Sequence, residues 1–402
     1  MGTRHQQGFA LLLVMLVVVI TGTAIFLAFH GTGASARSET ERTRAQALAD
    51  AREAVLAYAL AGGTGGTDRP GALPCPDHNG DGQSQGSACP SDVVSLGRLP
   101  HRTLDIPAPE HGLWFVITPE LLNDGSVVNP DVIDDVGLTI NGVDGYAAAI
   151  IAPGPPLQGQ ALRGSDQETP ADYLEAGNDD DSSSEFVDCR GVDGCNDHVM
   201  GIGIDELFAN VQRRLLGDVE FALLEFFADH GHFPRPATFA SDDRVCNPET
   251  LLGRLPTVEP EPPGPPGPPN GEPPGNEHCE AHEYIATELL PDWIMVNNWI
   301  PSGDEESERV DFIVYHVAES CTVEAPAGTE CGDSGLSLGA VEGLGAVVIA
   351  GGRELPGQDR RAATAGLGDY LESPNDEPDG AYIDARTRNN LRNDAFRGVA
   401  PP

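Results

Sequence analysis

Three oxygen-bearing side chains stand at alternate positions in the segment DHNGDG: Asp77, Asn79 and Asp81, with Gly82 directly after them. That spacing turns hard oxygen ligands toward one point, and the glycine permits the sharp bend a cation loop needs. A complete helix–loop–helix calcium site would place a bidentate Glu at the twelfth loop position, where Ala88 stands. The segment is half a motif. Calcium on Asp77, Asn79 and Asp81 is one expectation, and a plain loop of Asx turns is the other. The acidic runs at 178–181 and 375–379 present the same choice, with solvated charge as the default.

Eight cysteines fall into four neighbouring couples: Cys75 with Cys89, Cys189 with Cys195, Cys246 with Cys279, and Cys321 with Cys331. None has the CxxC spacing of a zinc site. An even count behind an export-type segment predicts disulfides in an oxidising compartment, with small-loop neighbour pairing preferred.

Catalytic patterns are incomplete. CGDSGLS, from Cys331, is similar to the nucleophile segment of chymotrypsin-like proteases, but no His stands in a matching context. His278 and His282 are four apart, yet the acid is Glu280 and not the residue after the first His, so the HExxH zinc pattern is not met. His230 and His232 flank Gly231 ahead of a proline and read as loop residues. Without a base, a nucleophile and an oxyanion donor in one arrangement, the chain reads as a non-enzyme with no small-molecule substrate.

The elements that must position these residues follow from the rest of the sequence. The chain has 402 residues, room for two to three domains at about 150 each. It carries 63 acids against 23 bases, a net charge of −40, and no Lys. Such a surface repels phosphate backbones and anionic lipid, which excludes nucleic acid as a partner.

Residues 9–29 are mostly apolar and uncharged, long enough at 1.5 Å per residue to predict a transmembrane helix. The run is longer than the apolar region of a cleaved secretory signal. Beyond it, ASARSETERTRAQALADAREAVLAYALA lacks Pro and Gly and spaces Leu48, Ala51, Val55 and Tyr58 at three- and four-residue steps, which predicts an amphipathic helix. Gly31 and Gly33 are expected to loosen the join.

The short basic leader MGTRHQQ, the border Gly8-Phe9, the apolar run and its helical extension together resemble the prepilin signature of type IV pilins and type II secretion pseudopilins. The resemblance implies cleavage between Gly8 and Phe9 by a prepilin peptidase, followed by methylation of Phe9. It implies other pilins or pseudopilins as partners. It also implies single-pass anchorage in a bacterial inner membrane, with the body in the periplasm or at the cell surface in a pilus. The family's fifth mature residue is usually Glu; here it is Leu13, which cannot neutralise a neighbour's amino terminus. That departure suits a minor subunit at a tip or in initiation. A membrane-tethered adhesin or binding protein outside any filament is the competing class.

The body repeats itself. AAAIIAPGPPLQGQALRGSDQETPADYLE at 147–175 aligns with GAVVIAGGRELPGQDRRAATAGLGDYLE at 345–372, and GRLP occurs at 97–100 and 253–256. Gln160 and Arg163 match Gln358 and Arg361, and duplicated polar residues after an apolar strand read as loop pins. LWFVIT is taken to correspond to DWIMV. The expected fold class is α+β: the transmembrane helix continues as an amphipathic helix, then a pilin-like helix-plus-antiparallel-sheet module occurs twice. The expected boundaries are a leader at 1–8, the membrane helix at 9–29, one module at 30–204 and its repeat at 205–402. A Pro-rich insertion at 259–276 forms a solvated loop. The second helix, about 205–229, carries Leu207, Phe208, Val211, Leu215, Val219 and Leu223 on one stripe.

Overall fold

An unbroken helix of 58 residues, α1 (Arg4–Ala61), opens the chain. A computed structural model describes residues 4–62, 69–85, 89, 94–108, 112–122, 128, 137–160, 163, 169–190, 192, 194–239, 244–258, 283–295, 312–326, 328–332, 335–355, 357–358, 366–377, 379–383 and 394–401, with α1 side chains at 15–21 and from 39 onward. Two compact units result, Met1–Glu53 and Ala54–Pro402.

Gly31 and Gly33 lie inside α1 without breaking it. A glycine costs about 1 kcal/mol in a helix interior, which the surrounding Ala, Leu, Arg and Glu tolerate. Side chains support the backbone locally, as where Gln46 Nε2 donates to Asp50 Oδ1 one turn on (2.7 Å). Leu48, Ala51, Val55 and Ala59 are buried. Ala59, not Tyr58, completes the stripe.

The expected transmembrane helix at 9–29 is corrected here. Among the described residues no helix is long and apolar enough to cross a membrane. Spanning takes about 20 consecutive apolar residues, and the described apolar side chains form only the short run from Met15 to Ile20. The expected fold class loses its membrane helix, and the single-pass inner-membrane placement with a periplasmic body falls with it. Gly8, Phe9 and Leu13 sit within α1, but their side chains lie outside the described residues, as do leader residues 1–3, Cys279 and the insertion at 259–276.

In the second unit the strands are, in chain order, β1 (Ser95–Arg98), β2 (Trp114–Ile117), β3 (Leu138–Ile140), β4 (Val143–Ala152), β5 (Glu185–Phe186) and β6 (His198–Gly203). Helix α2 (Ile204–His230) follows, then β7 (Leu252–Arg254), β8 (Ile313–Val317), β9 (Ser337–Leu338), β10 (Val341–Glu342), β11 (Ala346–Ala350), the single turn α3 (Leu367–Tyr370), β12 (Ala381–Tyr382) and β13 (Ala395–Val399). Two antiparallel series run the same course: β1-β2-β4-β6 and β7-β8-β11-β13. Their registers correspond. Phe115 pairs with Ile150 and Ile150 with Met200, as Tyr315 pairs with Val348 and Val348 with Arg397. A parallel side pairing also recurs, β3 with β5 and β9 with β12. Asn141 and Gly142, both at positive φ (53° and 76°), make the two-residue turn between β3 and β4 that twisted hairpins prefer.

The apolar runs become the central strands because both faces are covered: every residue of β2, β8 and β11 is buried. DWIMV is not a strand; Asp292–Ile294 is a 3₁₀ turn, and β8 occupies the position that corresponds to β2. Asp205 and Glu206 stand at the positive end of α2. Gly231, left-handed at φ 76°, stops it by donating its N–H to Phe227 O (2.7 Å). The α2 stripe is buried as its period requires, but α2 packs against strands of both series, β11 and β13 as well as β4 and β6.

The two GRLP segments share one steric requirement. Asp77 bridges Arg98, and Ala237 bridges Arg254, so an earlier stretch of chain crosses each glycine. A Cβ on Gly253 would lie 1.9 Å from Ala237 O, and one on Gly97 would lie 2.9 Å from Pro76 Cβ. Overpacking costs about 1–3 kcal/mol, so Gly253→Ala should sit at or above the top of that range and Gly97→Ala nearer the bottom. Urea midpoints of the two variants check the order.

Candidate functional site

Beyond β4 and β11 the chain leaves an apolar sheet, and its turns must satisfy their own backbone groups. Asn178, fully buried, does so with its amide: Nδ2 donates to Val187 O (2.9 Å), and Val187 N donates back to Oδ1 (2.8 Å). Its Nδ2 also donates to Asp197 Oδ2 (3.1 Å), which accepts Glu175 N as well (2.8 Å). The second copy repeats this knot. Asn375 closes the same pair with Ile383 (3.1 and 2.9 Å), and Asp394 Oδ2 accepts Glu372 N (3.2 Å). Both aspartates immediately precede the last strand of their series, β6 and β13.

The first knot is the more elaborate. Arg163 donates to Gly154 O (2.7 Å), Asp172 O (2.6 Å), Tyr173 O (3.1 Å) and Gln160 Oε1 (2.5 Å), while Gln160 Nε2 donates to Glu175 Oε1 (2.6 Å). The duplicated Gln and Arg therefore pin a loop. Gln358 Oε1 accepts Leu355 N at 2.9 Å just as Gln160 Oε1 accepts Leu157 N at 2.9 Å; Arg361 lies outside the described residues. Arg98 lies over both Trp114 and Tyr173, at 4.6 and 4.4 Å from their ring centroids.

Asp197 differs from every other carboxylate of the knots. It has no exposed surface, and its Oδ1 accepts no hydrogen bond. Burial pushes its pKa up to about 7, against the lowering effect of the Glu175 N–H and the Asn178 amide, and the Glu175 carboxylate adds to the rise. Its carboxylate lies within 4.8 Å of the sulfurs of both Cys189 and Cys195.

At the other candidate site, Asp77 is buried and its carboxylate accepts three backbone N–H groups: Asn79 (3.2 Å) and Gly80 (2.7 Å) on Oδ1, and Gly82 (2.7 Å) on Oδ2. Asn79 Oδ1 accepts Asp81 N (2.9 Å), Asp81 Oδ1 accepts Gln83 N (2.7 Å), and Asn79 Nδ2 donates to Asp81 Oδ2 (3.1 Å). These are consecutive Asx turns. Each of these oxygens has more than one lone pair, so the turns fit the calcium expectation on Asp77, Asn79 and Asp81 as well as the plain loop.

Three neighbour disulfides are formed, Cys75–Cys89, Cys189–Cys195 and Cys321–Cys331. Cys246 is also disulfide-bonded, and no cysteine among the described residues is free. The groupings of Cys75, His78 and Cys89, and of Cys189, Cys195 and Asp197, have metal-like spacing, but a bridged sulfur is not the thiolate that a metal requires.

Comparisons with protein-family models, curated proteins and solved structures find no match.

One further polar pair is buried. His316 Nδ1 and Tyr382 OH lie 2.6 Å apart, sharing a hydrogen bond between β8 and β12. The matching positions of the first copy, by strand register, are Val116 and Phe186. Burial lowers the His316 pKa to about 4 against the attraction of Asp379, and burial raises that of Tyr382.

Motif search misses Asn178, Asp197, His316 and Tyr382, because none sits in a known spacing. The internal repeat held the signal for the first of these: Asn178 and Asn375 each stand three residues after the shared DYLE.

Proposed function

We propose that this chain is a non-enzymatic minor subunit of a helical filament of the type IV pilus or type II secretion class, acting at the tip or in initiation. One observation carries the reading. Met15, Leu16, Val17, Val18, Val19 and Ile20 are each 50–66% exposed. Six consecutive helical residues point in every direction at 100° steps, so no single face of this segment is polar. A rod that is apolar all round needs neighbours all round, and parallel rods of the same kind supply them. The partners are other pilins or pseudopilins, after prepilin peptidase has cut between Gly8 and Phe9. Leu13 leaves a neighbour's amino terminus unneutralised, which favours a position that few subunits occupy. The knots and disulfides brace the described loops for presentation.

A charge placed in the rod tests this. Val17→Asp with Val18→Asp should abolish cross-linking to filament components, because an unpaired buried carboxylate is costly, while the melting of the Ala54–Pro402 unit stays unchanged. Undiminished cross-linking in that variant would remove the proposal.

A further inference from the structure

We propose that Cys189–Cys195 is an exchange-competent disulfide, opened by a dithiol, in which the buried Asp197 carboxyl hands its proton to the departing Cys189 sulfur. The argument starts from exposure. Cys189 is buried (2% exposed), whereas Cys195 is partly open to solvent. An incoming thiolate therefore reaches the Cys195 sulfur, forms a mixed disulfide there, and expels Cys189 as the thiolate.

A thiolate expelled into a buried site has lost its hydration and needs a proton. The Asp197 carboxylate lies within 4.8 Å of both sulfurs, and its Oδ1 has no hydrogen bond. That oxygen retains a proton near neutral pH because of burial and the Glu175 carboxylate. Passing it to Cys189 leaves Asp197 as a carboxylate that still accepts Glu175 N and Asn178 Nδ2. The new thiol finds an acceptor in Val187 O, 3.6 Å from the sulfur. The second thiol of the dithiol then attacks the mixed disulfide at its own sulfur, releasing Cys195. The balance is one protein disulfide and one dithiol giving two protein thiols and one external disulfide.

The charged groups that bear on the site, among the described residues, are Glu175 and, on the disulfide loop itself, Asp188 and Arg190, which pair with each other (2.5 Å). The fold does not need the bridge. The second copy builds the same knot from Asn375 and Asp394 with no cysteine between them. Cys189 and Cys195 are 6 positions apart in sequence, against 14 and 10 for Cys75–Cys89 and Cys321–Cys331, so of these three its closure removes the least chain entropy. Among the described residues neither of those two bridges has a carboxyl grouped with its sulfurs; their neighbours are the far less acidic hydroxyls of Ser95, 3.5 Å from Cys89, and Ser320, 3.8 Å from Cys321. Desolvation lowers the pKa of His78, which stands beside Cys75 and Cys89. The sulfurs of Cys321 and Cys331 lie 3.1 and 3.2 Å from where a Cβ on Gly345 would stand, under Phe233.

The full chain, exposed to dithiothreitol and sampled by alkylation and peptide mass mapping, decides the matter. At pH 7 Cys189–Cys195 should open first, with circular dichroism unchanged, and its rate per reductant thiolate should fall as pH rises through 7. Asp197→Asn should slow that opening by about 10²-fold, while Asp394→Asn leaves it unaltered. Opening of Cys75–Cys89 or Cys321–Cys331 together with Cys189–Cys195, or a rate per thiolate that stays flat between pH 6 and 8, would overturn the assignment. The second readout uses the native chain, so it holds even if Asp197→Asn fails to fold.

Discussion

Replacing Asn178 by Ala should lower the unfolding free energy by about 3–5 kcal/mol. The amide satisfies the N–H and the C=O of Val187 and one oxygen of Asp197, all inside the protein. Truncation strands the N–H and C=O of Val187 and takes one of two donors from Asp197 Oδ2, which keeps the Glu175 N–H; each stranded group costs about 1–3 kcal/mol. Asn375 makes the two backbone bonds at its own site, so Asn375→Ala should cost less, about 2–3 kcal/mol. Equilibrium urea unfolding of the two variants side by side measures the difference. Equal losses would mean that the amide-to-Asp197 bond contributes nothing.

The second large effect is acid lability located at His316. Its folded-state pKa is lowered to about 4 from an ordinary value near 6.5, so the unfolded chain binds the proton more readily between those two values. The sign follows: the stabilisation is complete above pH 6.5 and is lost as pH falls through 4. Its size is roughly 3 kcal/mol. Asp197 acts oppositely, since a raised carboxyl pKa gives stability that declines as pH rises toward 7. The bulk profile therefore mixes two opposed slopes, and a variant must separate them. His316→Val with Tyr382→Phe installs the pair that the first copy already uses, Val116 and Phe186. The double variant should lose none of the His316 share between pH 6.5 and 4. If its stability falls with acid as steeply as the parent's, the histidine is not the sensor.

The sequence announced some parts of this molecule and hid others for physical reasons. Short apolar runs bounded by turn residues are strands here: WFVI, VYHV and AVVIA are buried on both faces, which allows no polar alternation. The repeat is legible because the same segments, GRLP at the end of β1 and β7 and DYLE in the loops beyond β4 and β11, solve the same steric and hydrogen-bonding problem twice. DWIMV misled because an apolar tripeptide fills a hydrophobic gap as well in a 3₁₀ turn as in a strand, and periodicity cannot separate them at that length. The apolar opening was read as a membrane helix from hydropathy alone, and the described residues contain no helix long and apolar enough to cross a membrane. The contacts that Asp197 makes in the first knot join residues 19 and 22 apart, and His316 and Tyr382 are 66 apart. Such contacts have no local spacing to reveal them. Asp77, Asn79 and Asp81 lie in consecutive Asx turns bent at Gly80 and Gly82, φ 78° and 83°, a geometry that residue spacing alone does not distinguish from a cation loop.

The proposal of a filament subunit stands or falls on what happens at the start of α1. The intact mass of the protein isolated from its native cells reads that directly. The account predicts a chain that begins at Phe9 and carries one methyl group on its amino terminus. A chain that still carries Met1 through Gly8 would contradict it.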